Sequence, residues 1–377
     1  MDKRQKLKPA GRVSRQEVAE AAERFDHRGR GAITNASGRY EAGAKEAFDD
    51  GWDTLEASPA PLRTEVTPET ARTIISFNRS PDIHFDRSIN PYRGCEHGCV
   101  YCFARPSHAY QGLSAGLDFE SKLFFKPNGP QLLRRELGRP GYIPRVIALG
   151  VNTDAFQPVE KRLRLTRALL EILYEFRHPV SLLTKSSLIL RDLDLIAPMA
   201  EMGLARVGVS ITTQDPKLAR RMEPRAASPR LRLETVEGLS QAGIPVTVMT
   251  APIIPALNDH EIEPLLAAAA GAGASSAGYV LLRLPHELKD LFHEWLAQHY
   301  PERAARVINL MRDMRGGLDY DPRWFERGTG RGPYARLVAR RFARAAGVHG
   351  LDGPRAPLRT DLFRPREAPD GQFMLDF

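Results

Sequence analysis

Between residues 84 and 284 the chain alternates short apolar runs, rich in β-branched residues, with longer stretches in which apolar residues recur at helical spacing. The strand-like runs are "HFDRSIN" (84–90), "RVIALGV" (145–151), "PVSLLT" (179–184), "ARVGVSI" (205–211), "PVTVMT" (245–250) and "YVLLRL" (279–284). Helix-like stretches separate them: "EKRLRLTRALLEILYEF" (160–176), "LILRDLDLIAPMAEM" (188–202), "SPRLRLETVEGLSQAG" (228–243) and "DHEIEPLLAAAAGAG" (259–273). In the first of these Leu163, Leu165, Leu169, Leu170, Leu173 and Phe176 line one face and leave a charged one opposite. Ser228 followed by Pro229 predicts a capped helix start, and Gly243 its stop. Parallel neighbours need a crossover, so repeated strand–helix units predict parallel pairing under a layer of helices. The expectation is an α/β fold: a partial (β/α)₆ TIM-like barrel with functional loops at the carboxyl ends of its strands.

The pattern also suggests boundaries. Residues 1–84 read as an N-terminal extension of helix and loop, including the candidate helix "RQEVAEAAERF" and the glycine-bearing "HRGRGAITNASGRYEAG". Residues 85–298 form the core barrel. Residues 299–377 continue as a helical segment, with "NLMRDMRGG" and "PYARLVARRFARAAG" as its helices, and a tail that folds back or stays mobile. The longest uncharged run, 265–282, is dominated by small residues and broken by Gly271, Gly273 and Gly278, and reads as a helix end, a turn and a strand in place of a membrane span.

Composition adds three points. Of 377 residues 42% are apolar, enough for a buried core. The net charge of +8 suits either an acidic partner such as nucleic acid or simple solubility. The N-terminus is basic but develops no apolar signal segment, and the three cysteines cannot all pair within the chain, so a reducing, cytoplasmic setting is expected. No pattern assigns an oligomeric state.

Those three cysteines carry the chemistry. Cys95, Cys99 and Cys102 fall within "NPYRGCEHGCVYCFARPSH", spaced C-x₃-C-x₂-C, just after the first strand. Three thiolates in so short a loop can converge on one metal centre. Zinc takes four protein ligands in structural sites and often three in catalytic ones, with His97 or His108 available as a fourth. A [4Fe-4S] cluster held by three cysteines takes a fourth residue from elsewhere or keeps one iron open for chemistry.

This motif, with Tyr101 before the third cysteine, resembles the signature of the radical S-adenosylmethionine enzymes, in its spore photoproduct lyase-like branch and a bacterial group within it. The phrases "GVNTDAFQPVEK", "LLTKS", "VSITTQD" and "APIIPALND" resemble that group at successive strand ends. The resemblance implies that the three cysteines hold a [4Fe-4S] cluster whose fourth iron is chelated by S-adenosylmethionine (SAM), and that reductive cleavage of SAM gives a 5′-deoxyadenosyl radical. It implies an external one-electron donor, a flavodoxin or ferredoxin. Lys185 would pair with the SAM carboxylate, Ser210 would face its ribose or methionine end, Thr153, Asp154 and Gln157 would orient the methionine or the substrate, and Ile253 and Tyr101 would border adenine.

Read on their own, Thr153 and Asp154 equally suit a helix cap, Lys185 a solvated surface and Ile253 core packing. Glu223 and Arg225 are expected to pair across the barrel top, and His108 and Tyr110 sit on a loop able to reach substrate. Arg336, Arg340, Arg341 and Arg344 are candidates for phosphate contacts. One departure bears on the reaction. The lyases use a further cysteine to return a hydrogen atom, whereas no cysteine follows Cys102 here, leaving Tyr110 or Tyr279 as chemical substitutes. Substrate classes therefore stand open between nucleic acid, with a lyase-like repair or modification, and a peptide, cofactor precursor or small metabolite. A non-enzymatic iron–sulfur protein is the remaining alternative.

Overall fold

The structure is a computed structural model and describes residues 29–41 and 62–365. The candidate helix 15–25 and the basic start lie outside them. Two sheets are present. The smaller comprises β1 (Glu65–Pro68), β4 (Tyr92–Arg93) and β5 (Lys122–Phe125), in the order β1-β5-β4. The larger contains β2 (Ile75–Phe77), β3 (Arg87–Ile89), β6 (Ile147–Leu149), β7 (Val180–Thr184), β8 (Ala205–Ser210), β9 (Val246–Ile253) and β10 (Ser276–Leu281). Its order, β10-β9-β8-β7-β6-β3-β2, follows the chain. Within this larger sheet every ladder from β3 to β10 is parallel, and β2 alone pairs antiparallel, at the edge. Six parallel strands in chain order, with no ladder joining β10 back to the other edge among the described residues, make the partial (β/α)₆ arrangement that the sequence pattern predicts.

The periodicity of each strand explains its placement. In β7 and β8 Val180, Leu182, Val207 and Val209 point toward the helices and join a core with Leu169, Leu173, Ile196, Val236 and Leu239. The alternate residues Ser181, Leu183, Lys185, Arg206, Gly208 and Ser210 line the inner face.

Three details depart from the pattern. The stretch 160–176 is two helices, Glu160–Leu163 and Leu165–Glu175, separated by Arg164 at φ 52°. The buried Glu160 carboxylate accepts the Thr166 N–H at 3.0 Å and so caps the second helix from within. The last strand begins at Ser276 and ends at Leu281, earlier than 279–284, because Gly273 at φ 89° ends the preceding helix and the chain turns directly into the sheet. Of the segment expected as a helix-and-loop extension, the described residues 62–84 contribute β1 and β2.

At the other end, helix Leu288–His299 runs across residue 298 and buries Trp295 completely, in a second core shared with helices Pro301–Asp313 and Gly332–Val348. The tail folds back along the amino-terminal ends of the strands: Arg359 N–H donates to Gly203 O at 2.9 Å, and Phe363 stacks on Phe176. Among the described residues no helix is long and apolar enough to cross a membrane.

Candidate active site at the carboxyl edge of the parallel sheet

The cysteine loop follows β4 and folds over the carboxyl ends of the parallel strands. Successive turns shape it, with Gly98 N–H donating to Cys95 O, Cys102 N–H to Cys99 O and Arg105 N–H to Cys102 O at 3.1–3.3 Å. Gly98 takes φ 65°, and a Cβ there would lie 2.5 Å from the Glu120 carboxylate. Cys95 and Cys99 are buried, Cys102 is partly exposed, and none is in a disulfide. Burial pushes the Cys95 thiol well up, and the Asp154 carboxylate and the other two sulfurs add to it. Burial likewise raises the Cys99 thiol, against the opposing pull of Lys185.

Cys95 and Cys99, which resist ionisation because they are buried, need a cationic centre to become ligands. Among the described residues no three His, Cys, Asp or Glu side chains converge tightly enough to hold one metal ion. A cluster is wider than an ion and takes each thiolate on a different iron, so the donor set suits three irons of a [4Fe-4S] centre.

A scaffold that sequence reasoning did not identify holds the loop. Arg105 is fully buried and uses all five of its N–H donors: Nε to Cys99 O at 2.8 Å, Nη1 to Ala115 O and Gly116 O at 3.0 and 2.9 Å, and Nη2 to Gly98 O and Glu120 Oε1 at 3.0 and 2.6 Å. The same Glu120 accepts the backbone N–H groups of Gly31 and Ala32 at 2.9 and 2.7 Å, which ties residues 29–41 over the loop. Gly31 is there by necessity, since a Cβ would sit 1.8 Å from Gly98 O. The sequence offers only an arginine three residues after the last cysteine as a signal; its partner is fifteen residues further on.

The residues after β6 serve the same loop. Thr153 Oγ1 donates to Tyr92 O at 2.8 Å, and Gln157 accepts Glu96 N–H at 2.8 Å and donates to Gly94 O at 3.2 Å. Asp154 accepts from Thr184 Oγ1 at 2.8 Å and Lys185 N–H at 2.7 Å, and its carboxylate is 3.4 Å from the His97 ring. Burial opposes its ionisation, but His97 and Lys185 outweigh that and hold Asp154 at about 2. Thr153 and Gln157 thus hydrogen-bond β4 and the cysteine loop, while Asp154 ties the end of β7 to His97 of that loop.

Lys185 and Ser210 end neighbouring strands on the inner face. Lys185 Nζ lies 5.9 Å from the centroid of the Tyr101 ring and forms no ion pair among the described residues. The Tyr101 hydroxyl donates to Glu223, whose carboxylate also accepts from Thr212 Oγ1 at 2.7 Å and from Arg232. Arg232 reaches on to Ser210 O at 3.1 Å and Ala227 O at 2.8 Å. Ile253 is buried with Cys99, Val100 and Tyr101.

Three expectations are corrected. Glu223 pairs with Arg232, and Arg225 instead meets Glu96 at 3.1 Å, because Arg225 lies on the exposed side of the turn. His108 is buried against Phe119 and bonds Lys122 O at 3.0 Å, so it cannot reach a substrate; burial lowers it to about 4. Tyr279 packs on Phe342 of the C-terminal helix at 4.7 Å, in the outer layer. Tyr110 is exposed and stacks on Tyr40.

Known proteins share this arrangement. The Radical SAM superfamily profile matches residues 89–269. An uncharacterised protein of Mycobacterium tuberculosis is 37% identical over 242 residues, 63% of this chain and 71% of its own length. An uncharacterised protein of Methanocaldococcus jannaschii is 32% identical over 226 residues, covering 59% and 79%. Among solved structures, spore photoproduct lyase complexed with dinucleoside spore photoproduct superimposes with a TM-score of 0.54 at 16% identity, over 75% of this chain and 79% of that one, a likeness of fold. The profile match begins at the last residue of β3 and spans the cysteine loop and the next four parallel strands, and with relatives this similar the chain belongs to the radical SAM superfamily.

Proposed function

We propose that the protein is a radical SAM enzyme in which Cys95, Cys99 and Cys102 hold a [4Fe-4S] cluster and the substrate is a nucleic acid. The observation that carries the first part is the juxtaposition of three thiols, two of them buried and none in a disulfide, with the ammonium of Lys185, which forms no ion pair among the described residues, at the carboxyl edge of six parallel strands. When bound, the cluster and SAM supply a reductive cleavage that releases a 5′-deoxyadenosyl radical for hydrogen abstraction. Lys185 offers the cation for the SAM carboxylate, Ile253 and Tyr101 the apolar wall for adenine, and the Glu223–Arg232–Thr212 network keeps Tyr101 in place. Electrons come from an external donor of the flavodoxin or ferredoxin class.

Replacing Lys185 with methionine is expected to weaken SAM binding roughly tenfold or more, since it removes a charge-assisted hydrogen bond and leaves cluster content unchanged. Equilibrium dialysis beside an iron assay checks this; unchanged affinity would remove Lys185 from the SAM site.

For nucleic acid the support is electrostatic. On helix Gly332–Val348, Arg336, Arg340 and Arg344 are exposed at four-residue spacing and form no ion pair among the described residues, whereas Arg341 is held by Glu263 at 2.6 Å. Such a stripe spans about 12 Å of helix. The solved lyase of like fold holds a dinucleoside photoproduct. Because no cysteine follows Cys102, the proposal is hydrogen abstraction from nucleic acid and not lysis of a thymine photoproduct through a thiol.

The test is 5′-deoxyadenosine formation under anaerobic reducing conditions, with DNA, RNA, peptide and metabolite pools in parallel. Stimulation by nucleic acid alone is expected; stimulation only by a peptide or metabolite would transfer the enzyme to that class. In a salt series, R336Q/R340Q should lower the slope of log affinity against log salt by about two, one for each phosphate that is no longer neutralised.

A further inference from the structure

The loop 319–331, between helices Pro301–Asp313 and Gly332–Val348, holds two large aromatic side chains out in solvent: Trp324 is 58% exposed and Phe325 66%. Phe325 also adopts φ 66°, a backbone region that bulky residues avoid. A turn with that cost persists only when its surroundings over-determine it, and here they do. Asp82 accepts the Phe325 N–H at 3.3 Å and Arg327 Nε at 2.6 Å, and Thr329 Oγ1 donates to Phe325 O at 2.6 Å. Asp321 accepts Arg323 Nε at 3.0 Å. Gly328 O accepts Leu281 N–H at 2.8 Å, which fastens the loop to the carboxyl end of β10. The backbone beneath the two rings is therefore pinned at several points, and among the described residues both side chains stay largely exposed.

A continuous path leads from them to the cysteine loop. Tyr320, in the same loop, has its hydroxyl 3.5 Å from Arg283 Nη2, and the Arg283 guanidinium lies 5.1 Å over the ring of Phe103, the residue after Cys102. Arg283 forms no ion pair among the described residues, and its buried Nε has no hydrogen-bond partner. In the other direction the chain runs straight into the helix that carries the arginine stripe.

We infer that Trp324 and Phe325 form a stacking shelf for unpaired bases, so that the enzyme takes single-stranded or locally opened nucleic acid. This rests on the nucleic-acid reading above and deepens it. Flat π-faces suit successive bases, and Arg283 with the exposed Arg336 and Arg340 of the following helix, none in an ion pair among the described residues, suit their phosphates. The loop's own Arg323 and Arg327 are held by Asp321 and Asp82. A protein partner would call for a broader apolar surface than two rings. Chemistry on a base requires the base to leave the duplex stack, and a stacking shelf would hold the neighbouring bases while it does so. Arg283, between shelf and cysteine loop, is placed to take a phosphate of the strand as it turns inward.

The experiment measures anisotropy of a labelled oligothymidylate of about twelve nucleotides, and of the matching duplex, with the reconstituted full chain. Single-strand binding is expected to exceed duplex binding, and W324A/F325A should weaken it roughly tenfold without changing its salt slope. F325G keeps Trp324 and relieves the backbone cost, so it should fold at least as stably and lose only part of the affinity. Unaltered single-strand affinity in both variants would overturn the shelf while leaving the nucleic-acid reading in place. Failure of the unmodified protein to bind any oligonucleotide would overturn both. A dimer that W324A/F325A converts to monomer in sedimentation, with DNA binding intact, would make the rings a self-association surface and overturn the shelf.

Discussion

Alanine at Cys95, Cys99 or Cys102 is expected to abolish cluster assembly outright. Anaerobic reconstitution of the unmodified protein should give about four iron and four sulfide atoms per chain, and each variant only background. The loss should be all-or-none, because the loop contains only these three thiols and the chain has no other cysteine to recruit. Alanine is the informative replacement: it leaves the buried positions apolar, whereas serine would bury a hydroxyl at Cys95 and Cys99 and confuse ligand loss with a folding cost. Folding of the alanine variants, followed by circular dichroism, should be retained, since Arg105 and Glu120 hold the loop independently of the sulfurs. Stoichiometric zinc in anaerobically prepared protein, with no iron–sulfur absorption, would overturn the cluster assignment.

The second large effect falls on that scaffold. R105M should destabilise the protein by about 3–5 kcal/mol, because it leaves the fully buried Glu120 charge without its 2.6 Å partner and strands four backbone carbonyls. The double variant R105M/E120Q should recover part of the loss, since the buried charge disappears with its partner. Denaturant unfolding of the four proteins in the cycle measures this. Additive losses would mean that the two side chains act separately and that the strap 29–41 is held by something else. Cluster content should fall in R105M as well, as a consequence of the displaced loop.

Both predictions concern one loop, yet only half of it was legible beforehand. The thiols announce themselves by spacing, because metal ligation needs particular atoms and local chain geometry can supply them within eight residues. Arg105 carries no such mark. An arginine looks the same in sequence whether it decorates a surface or uses five donors in the core, and the difference lies in Glu120, Ala115 and Gly116, which only the folded chain brings to it. The same reason explains Glu223. Proximity in sequence suggested Arg225, two residues on, but helix geometry turned Arg232 inward and left Arg225 at the rim. Asp154 and Gln157 show the converse: their place at a strand end is legible in the sequence, while their partners, Lys185 N–H for Asp154 and the Glu96 N–H of the cysteine loop for Gln157, are set by the neighbouring elements.

By itself, then, the sequence determined the parallel α/β core, the order and approximate limits of its six strands and the grouping of its three thiols in one loop. These depend on local periodicity, on the crossover that parallel strands require and on spacing within one short loop. Tertiary structure decided what spans the chain: the joining of β2 to the sheet edge, the strap of residues 29–41 over the cysteines, the burial of His108 and the solvent-facing aromatic turn at Trp324 and Phe325. Each of these is set by partners between about ten and two hundred and fifty residues away, from the Asp86–Asn78 pairing of the edge hairpin to Asp82 at Phe325, and long-range contacts leave no period in the sequence to read.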